Sequence, residues 1–216
     1  SVCVQTEKIK RVNYMERYQD YVIKDGKFID KFEEMYQKFG DPWHQMELEF
    51  NVLGGILASL IREYSLHNVV EVGCGLGKIT NMLNEACADA VITGVDVSET
   101  AINKAQKMYP QIKFKAANVR DISEEWSEYD GIIFSDIMWY ILQDLEVVIQ
   151  KLKENCAGKI LMIKQVFYKG QQRYGTEYFT TQDEMINYLS CFKMIGKETC
   201  NLEKNDFIST VTLFKI

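Results

Sequence analysis

One segment constrains the fold more than any other: Val69-Val70-Glu71-Val72-Gly73-Cys74-Gly75-Leu76-Gly77-Lys78-Ile79-Thr80. A short β-branched run ends in three glycines at alternate positions, and a helical pattern begins at once. Glycines at 73, 75 and 77 let the backbone turn tightly and come close to a ligand where a Cβ would clash. A strand that feeds a helix through such a loop is the start of a βαβ unit.

The alternation continues downstream. Strand patterns cover residues 91–95, 112–114, 131–134 and 159–163, with helices over 79–87, 99–108, 141–152 and 183–189. Parallel strands joined by such helices make right-handed crossovers. The last two strand patterns, 192–200 and 207–214, are separated only by the turn at Glu203-Asn205. A connection that short allows antiparallel pairing. Upstream, Tyr14, Tyr18, Tyr21 and Val22 fall at helical spacing. After Asp25-Gly26, a second apolar stripe runs through Phe28, Phe32, Met35, Tyr36 and Phe39, ended by Gly40-Asp41-Pro42. A third helix is expected over 46–64, apolar nearly all round at 53–60 and so buried. Residues 1–45 read as a helical cap and 46–216 as the main domain of one compact unit.

Composition narrows the chemistry. The chain has 216 residues, 25 Lys+Arg against 31 Asp+Glu, and two histidines, His44 and His67. With no basic footprint, a nucleic-acid partner is not expected. Two imidazoles are too few for a His-based metal centre, and the six cysteines show neither CxxC nor zinc spacing, so no metal is expected. The cysteines read as small core residues of a reducing compartment. The charged N-terminus does not read as a signal peptide, and the apolar runs fall short of the ~20 residues needed to cross a bilayer. A cytoplasmic protein with no membrane partner is the expectation. Nothing in the sequence speaks to the oligomeric state.

The glycine loop points to its ligand through Glu71, two residues before the first glycine. A dinucleotide pyrophosphate seated on the helix N-terminus would find a carboxylate unwelcome. A cationic ligand reverses that logic. The second strand ends at Asp96, about 20 residues past the glycines, where a carboxylate can hold a ribose diol. Ser98 then caps the next helix. Asn118 and Val119 follow the third strand, where a side-chain amide and a backbone N–H can meet an adenine edge. Ser135 and Asp136 end the fourth strand at the ligand-binding edge of an open α/β sheet.

These pieces together resemble class I S-adenosylmethionine-dependent methyltransferases. VVEVGCGLGKIT corresponds to the first motif, VITGVDVS to the second, FKAANVRDI to the third and YDGIIFSDIMWYI to the fourth. The resemblance implies an α/β, Rossmann-like fold. Its sheet has seven strands, mostly parallel, with a terminal antiparallel hairpin, helices on both faces and an N-terminal helical cap. It implies S-adenosyl-L-methionine as cofactor, S-adenosyl-L-homocysteine as product and a small-molecule acceptor. The implied cofactor contacts are Glu71, Gly73, Cys74, Gly75, Gly77, Asp96, Val97, Asn118, Val119 and Ser135. Asn118 stands where the third motif commonly has Asp. Gly40-Asp41-Pro42-Trp43 before a buried helix is similar to the nodulation-type N-methyltransferase subgroup, whose members act on small sugars and related metabolites.

Methyl transfer needs an acceptor lone pair held in line, water excluded and sometimes a proton removed. His44 is a candidate base or a surface histidine. Asp136 is a candidate base, an acceptor ligand or a cap. Trp43, Trp139 and Tyr140 are candidate groove residues, with one of the last two expected to be structural. Lys169 and Arg173 stand with Lys164 in a segment that is either a solvated loop or a site for an anionic acceptor such as a phosphorylated sugar. The leading expectation is methyl transfer to O or N of a small polar metabolite. An NAD(P)-dependent oxidoreductase on the same loop and a silent S-adenosylmethionine-binding module are the alternatives.

Overall fold

The structure, a computed structural model, describes residues 18–24, 27–47, 52–170, 174–203 and 205–216. Seven strands form one sheet: β3 (Asn68–Val72), β4 (Val91–Asp96), β5 (Lys113–Ala116), β6 (Gly131–Ser135), β7 (Ile160–Tyr168), β8 (Lys193–Cys200) and β9 (Phe207–Lys215). Their order is β5-β4-β3-β6-β7-β9-β8. β3 pairs parallel with β4 and β6, and β9 pairs antiparallel with β7 and β8. From β3 the chain winds one way through β4 and β5 and the other way through β6 and β7. The crevice at that reversal, outside the carboxyl ends of β3, β4 and β6, is the usual ligand position in such sheets.

Parity along β3 assigns its side chains to opposite layers. Val69 joins a core with Leu57 and Ile61 of α2 (Val52–Glu63) and Ile79 and Leu83 of α3 (Lys78–Ala86). Val70 and Val72 join the opposite core with Leu145, Val148 and Leu152 of α5 (Leu145–Asn155) and Met185 of α6 (Gln182–Tyr188). Helices therefore cover both faces, as the strand–helix alternation predicts. The same parity turns Glu71 toward α3. α4 (Glu99–Met108) starts from a Ser98 cap whose hydroxyl accepts from Ala101 N, again as predicted.

The N-terminal region departs from two long helices. Tyr18–Tyr21 is a 3-10 turn, and Ile23–Lys24 (β1) pairs antiparallel with Lys27–Phe28 (β2). Among the described residues of this region, only Phe32–Lys38 (α1) is α-helical. Phe28 keeps its place in the apolar cluster from a strand instead of a helix. Tyr14 and Asp25-Gly26 lie outside the described residues. The expected 46–64 helix is a 3-10 turn at Gln45–Glu47 followed by α2, with 48–51 outside the described residues.

α1 is bolted along α4 by two reciprocal caps. The Glu33 carboxylate accepts from Thr100 N (3.1 Å), Ser98 Oγ (2.6 Å) and Thr100 Oγ1 (2.6 Å) at the start of α4. Lys104 Nζ donates to Tyr36 O (2.6 Å) and Phe39 O (2.9 Å) at the end of α1. Each charge sits where a helix terminus favours it. No described helix is long and apolar enough to cross a membrane.

Candidate active site

The glycine loop leaves β3 with left-handed backbone at all three glycines: φ is +80° at Gly73, +54° at Gly75 and +77° at Gly77. The N–H groups of Gly73 and Cys74 both donate to Val95 O, at 2.8 and 3.0 Å, which locks the loop to β4. A Cβ on Gly73 would stand 2.0 Å from Ile137 Cγ2, so the loop closes on the segment after β6.

Asp96, 8% exposed at the end of β4, faces this loop. Its Oδ2 accepts from Gly75 N (2.9 Å) and its Oδ1 from Ser98 N (3.0 Å). Burial raises its pKa, while the N–H groups of Ser98, Gly75 and Val97 pull the other way. A carboxylate has about four lone-pair sites. Three backbone donors therefore leave about one for a ligand hydroxyl.

A second polar line runs beneath the crevice. Glu71, buried inside the sheet, accepts from Thr80 Oγ1 at 2.5 Å and bonds the Ser135 side chain. Burial pushes its pKa up from 4.5 to about 7, against the pull of Thr80, Ser135 and the Lys164 charge. Lys164, also buried, forms an ion pair with Asp136 Oδ2. Asp136 carries left-handed backbone (φ +57°), and its N–H donates to Lys164 O at 2.8 Å. Its other oxygen, Oδ1, is buried and has no hydrogen-bond partner among the described residues.

Known proteins match this arrangement. A family profile described as a methyltransferase domain matches residues 69–157, from β3 to the end of α5. Residues 69–157 are similar to a methyltransferase domain. A trans-aconitate 2-methyltransferase of Rhodopseudomonas palustris is 43% identical over 78 residues, 35% of this chain and 29% of the relative. A malonyl-[acyl-carrier protein] O-methyltransferase of Bacillus cytotoxicus is 26% identical over 117 residues, 52% of this chain and 40% of the relative. The chain spans less than half the length of these curated relatives. Among solved structures, the N-methyltransferase NodS of Bradyrhizobium japonicum in complex with S-adenosyl-L-homocysteine superposes with a TM-score of 0.64. Its identity is 18%, covering 86% of this chain and 98% of NodS.

The region that resembles a methyltransferase domain has groups that fit S-adenosylmethionine. Asp96 keeps acceptor capacity for a ribose hydroxyl, and Val97 beside it is 45% exposed, an apolar surface for a base. Asn118 Oδ1 already accepts from Arg120 N (2.9 Å), yet a carbonyl oxygen holds a second lone pair. Val119 is buried after it. The cofactor contacts expected of Glu71 and Ser135 have to reckon with their bonding to each other. Cys74 is 1% exposed and its thiol pKa is raised by burial, so it packs and does no thiol chemistry.

The remaining candidates separate. Trp43 and Tyr140 meet, ring centroids 5.8 Å apart, in an aromatic cluster with Phe28 and Phe32. Trp139 is the structural one of its pair: it is buried, donates from Nε1 to Val166 O (3.0 Å) and packs on Phe167 and Phe179. His44 is exposed, with Nδ1 3.5 Å from Glu47 Oε1. Lys169 Nζ donates to Leu202 O (2.5 Å) across the sheet edge. Arg173 lies outside the described residues. Among the described residues, no His/Cys/Asp/Glu cluster suits a metal.

Two residues of the site escaped the sequence reading. Gln45 and Tyr36 both reach the loop: a Cβ on Gly75 would stand 2.5 Å from Gln45 Oε1 and 2.6 Å from the Tyr36 hydroxyl. No periodic signal marks a polar residue in a 3-10 turn. Lys164, read as part of the segment with Lys169 and Arg173, lies instead inside β7, where a buried charge needs a partner and Asp136 supplies it.

Proposed function

We propose that this protein transfers a methyl group to an O or N atom of a small polar metabolite. Asp96, held at the end of β4 by the N–H of Gly75, is the observation that carries the reading. It sets a ribose-binding carboxylate beside a loop whose glycines permit close approach. S-adenosylmethionine, when bound, supplies a methyl group activated by a sulfonium. The chain's own residues then have three tasks. Asp96, Val97 and Asn118 hold the nucleoside. The aromatic cluster of Trp43 and Tyr140 keeps water from the reacting atoms. Asp136 takes the acceptor's hydrogen bond.

His44 is less suited to the base role, because its imidazole is exposed and beside Glu47. An anionic acceptor has weak support: Lys169 is engaged by Leu202 O. A sugar or related polyol fits better than its phosphate. The relatives' names mention different acceptors, trans-aconitate and malonyl-acyl carrier protein, and NodS is called an N-methyltransferase. We carry none of those acceptors over. A cytoplasmic location and a small free acceptor are part of the same proposal.

Calorimetric titration with S-adenosylmethionine, S-adenosylhomocysteine and NADH tests it. The first two should bind and NADH should not. Asp96→Ala should weaken the first two by about tenfold or more, the loss expected for a charge-assisted hydrogen bond. Tighter NADH binding, or an Asp96→Ala variant with unchanged affinity, would overturn the assignment.

A further inference from the structure

Asp136 and Lys164 form a pair whose chemistry is half used. Lys164 sits in the middle of β7, an interior strand, in register opposite Ser135, with its side chain only 7% exposed. An ammonium buried that far is held by a counter-charge, and Asp136 Oδ2 supplies it. The pair is fixed twice over, because Asp136 N–H also donates to Lys164 O. Asp136 is left-handed, a strained state for a residue with a Cβ, and such strain gathers at functional sites. Its outcome is a carboxylate with one oxygen committed to Lys164 and the other buried without a donor among the described residues.

An unpaired buried acceptor is costly and calls for completion by a donor. Three donors of the adjoining described residues each have a partner. Ser135 is bonded to Glu71, Gln165 Nε2 donates to Val166 O, and the Met138 N–H goes to Gln165 Oε1. A ligand at the crevice, where the flanking Ile137 closes on Gly73, can supply the missing donor.

We propose that Asp136 Oδ1 selects a methyl acceptor that presents an N–H or O–H, an amine or a hydroxyl, and that Lys164 is the residue that positions Asp136 for it. This rests on the methyltransferase reading and narrows it. A carboxylate acceptor would bring a second anion to an oxygen that has only acceptor capacity. The Lys164 charge does not offset this, since Asp136 already neutralises it.

The test uses the protein loaded with S-adenosylhomocysteine. Two sets of small compounds are titrated by ligand-observed NMR. One holds amines and alcohols, including glucosamine, tyramine and serinol; the other holds carboxylates, including malonate and trans-aconitate. Binders should come from the first set, and Asp136→Asn should weaken them about tenfold or more. Lys164→Met should weaken the same binders, and Lys164→Arg should recover part of the loss. Affinity for S-adenosylhomocysteine should move less than about twofold in each variant, which separates selection from misfolding. Carboxylates binding as well as amines and alcohols, neither set binding, or an Asp136→Asn variant that binds like the native protein would each overturn the proposal. Failure of the native protein to bind S-adenosylhomocysteine would instead overturn the methyltransferase reading beneath it.

Discussion

The side-chain amide of Gln45 lies on the glycine loop, with its Oε1 accepting from Leu76 N at 2.7 Å. Its Nε2 donates to Cys74 O at 3.4 Å. Gln45 itself is held by Asp41, whose Oδ1 accepts from the Gln45 N–H and whose Oδ2 accepts from Met46 N. An N-terminal residue thus occupies one donor and one acceptor of the loop.

Those two loop groups are the complement of an amino acid's carboxylate and ammonium. S-adenosylhomocysteine carries both; methylthioadenosine carries neither. Gln45→Ala should therefore tighten S-adenosylhomocysteine by about 3- to 10-fold, the worth of one net hydrogen bond, and leave methylthioadenosine unchanged. Calorimetry with the two ligands decides it. Weaker S-adenosylhomocysteine binding would make Gln45 a contact of the cofactor and not its competitor.

Glu33 makes a pH-dependent bolt. Burial works to raise its pKa, but the hydroxyls of Ser98 and Thr100 and the Thr100 N–H outweigh it and hold the carboxyl at about 2. A folded-state pKa below the unfolded one gives stability that is present above the unfolded value and lost as pH falls. The contribution should be complete above 4.5 and decay toward 2. Glu33→Gln should cost about 1 kcal/mol at neutral pH, the scale of a lost helix cap, and the cost should shrink toward pH 2. Urea melts of both proteins between pH 7 and 2 check this; a pH-independent difference would refute it.

Glu71 should act in the opposite direction. Its pKa is raised from 4.5 to about 7, chiefly by burial. The folded state then binds the extra proton, so stability is highest below 4.5 and is lost as pH rises through 7. A shift of that size is worth about 3 kcal/mol. Glu71→Gln keeps an acceptor for Thr80 and removes the titration. Its stability should stay flat between pH 5 and 8 where the native protein declines. Parallel slopes for the two proteins would place the titrating group elsewhere.

The sheet and its helices were legible because each is written locally. Val69–Val72 followed by three glycines, or Ser98 before Glu99, specifies a strand end or a helix start with no distant partner. Residues 159–163 foretold only part of β7, because Lys164 and Gln165 look like the start of a loop until Asp136 and the Met138 N–H take up their charge and amide. The hairpin of β1 and β2 hid inside a helical spacing, since Phe28 and Phe32 reach the same cluster from either conformation. Glu33, Lys104 and Gln45 act more than 25 residues away in sequence. No window of local pattern contains such a pair. Much of the candidate site was readable for the same reason as the strands: Asp96, Asn118 and Asp136 all sit at strand ends.

Ser98 is where α1 and Asp96, the proposed nucleoside carboxylate, meet. Its hydroxyl donates to Glu33 and its N–H to Asp96. The two functions therefore share one hinge pin. Ligand affinity becomes a gauge of how firmly the cap is seated, and protection of α1 from proteolysis becomes a gauge of ligand occupancy. Substitutions in α1 that never approach the crevice will register as changes in cofactor affinity.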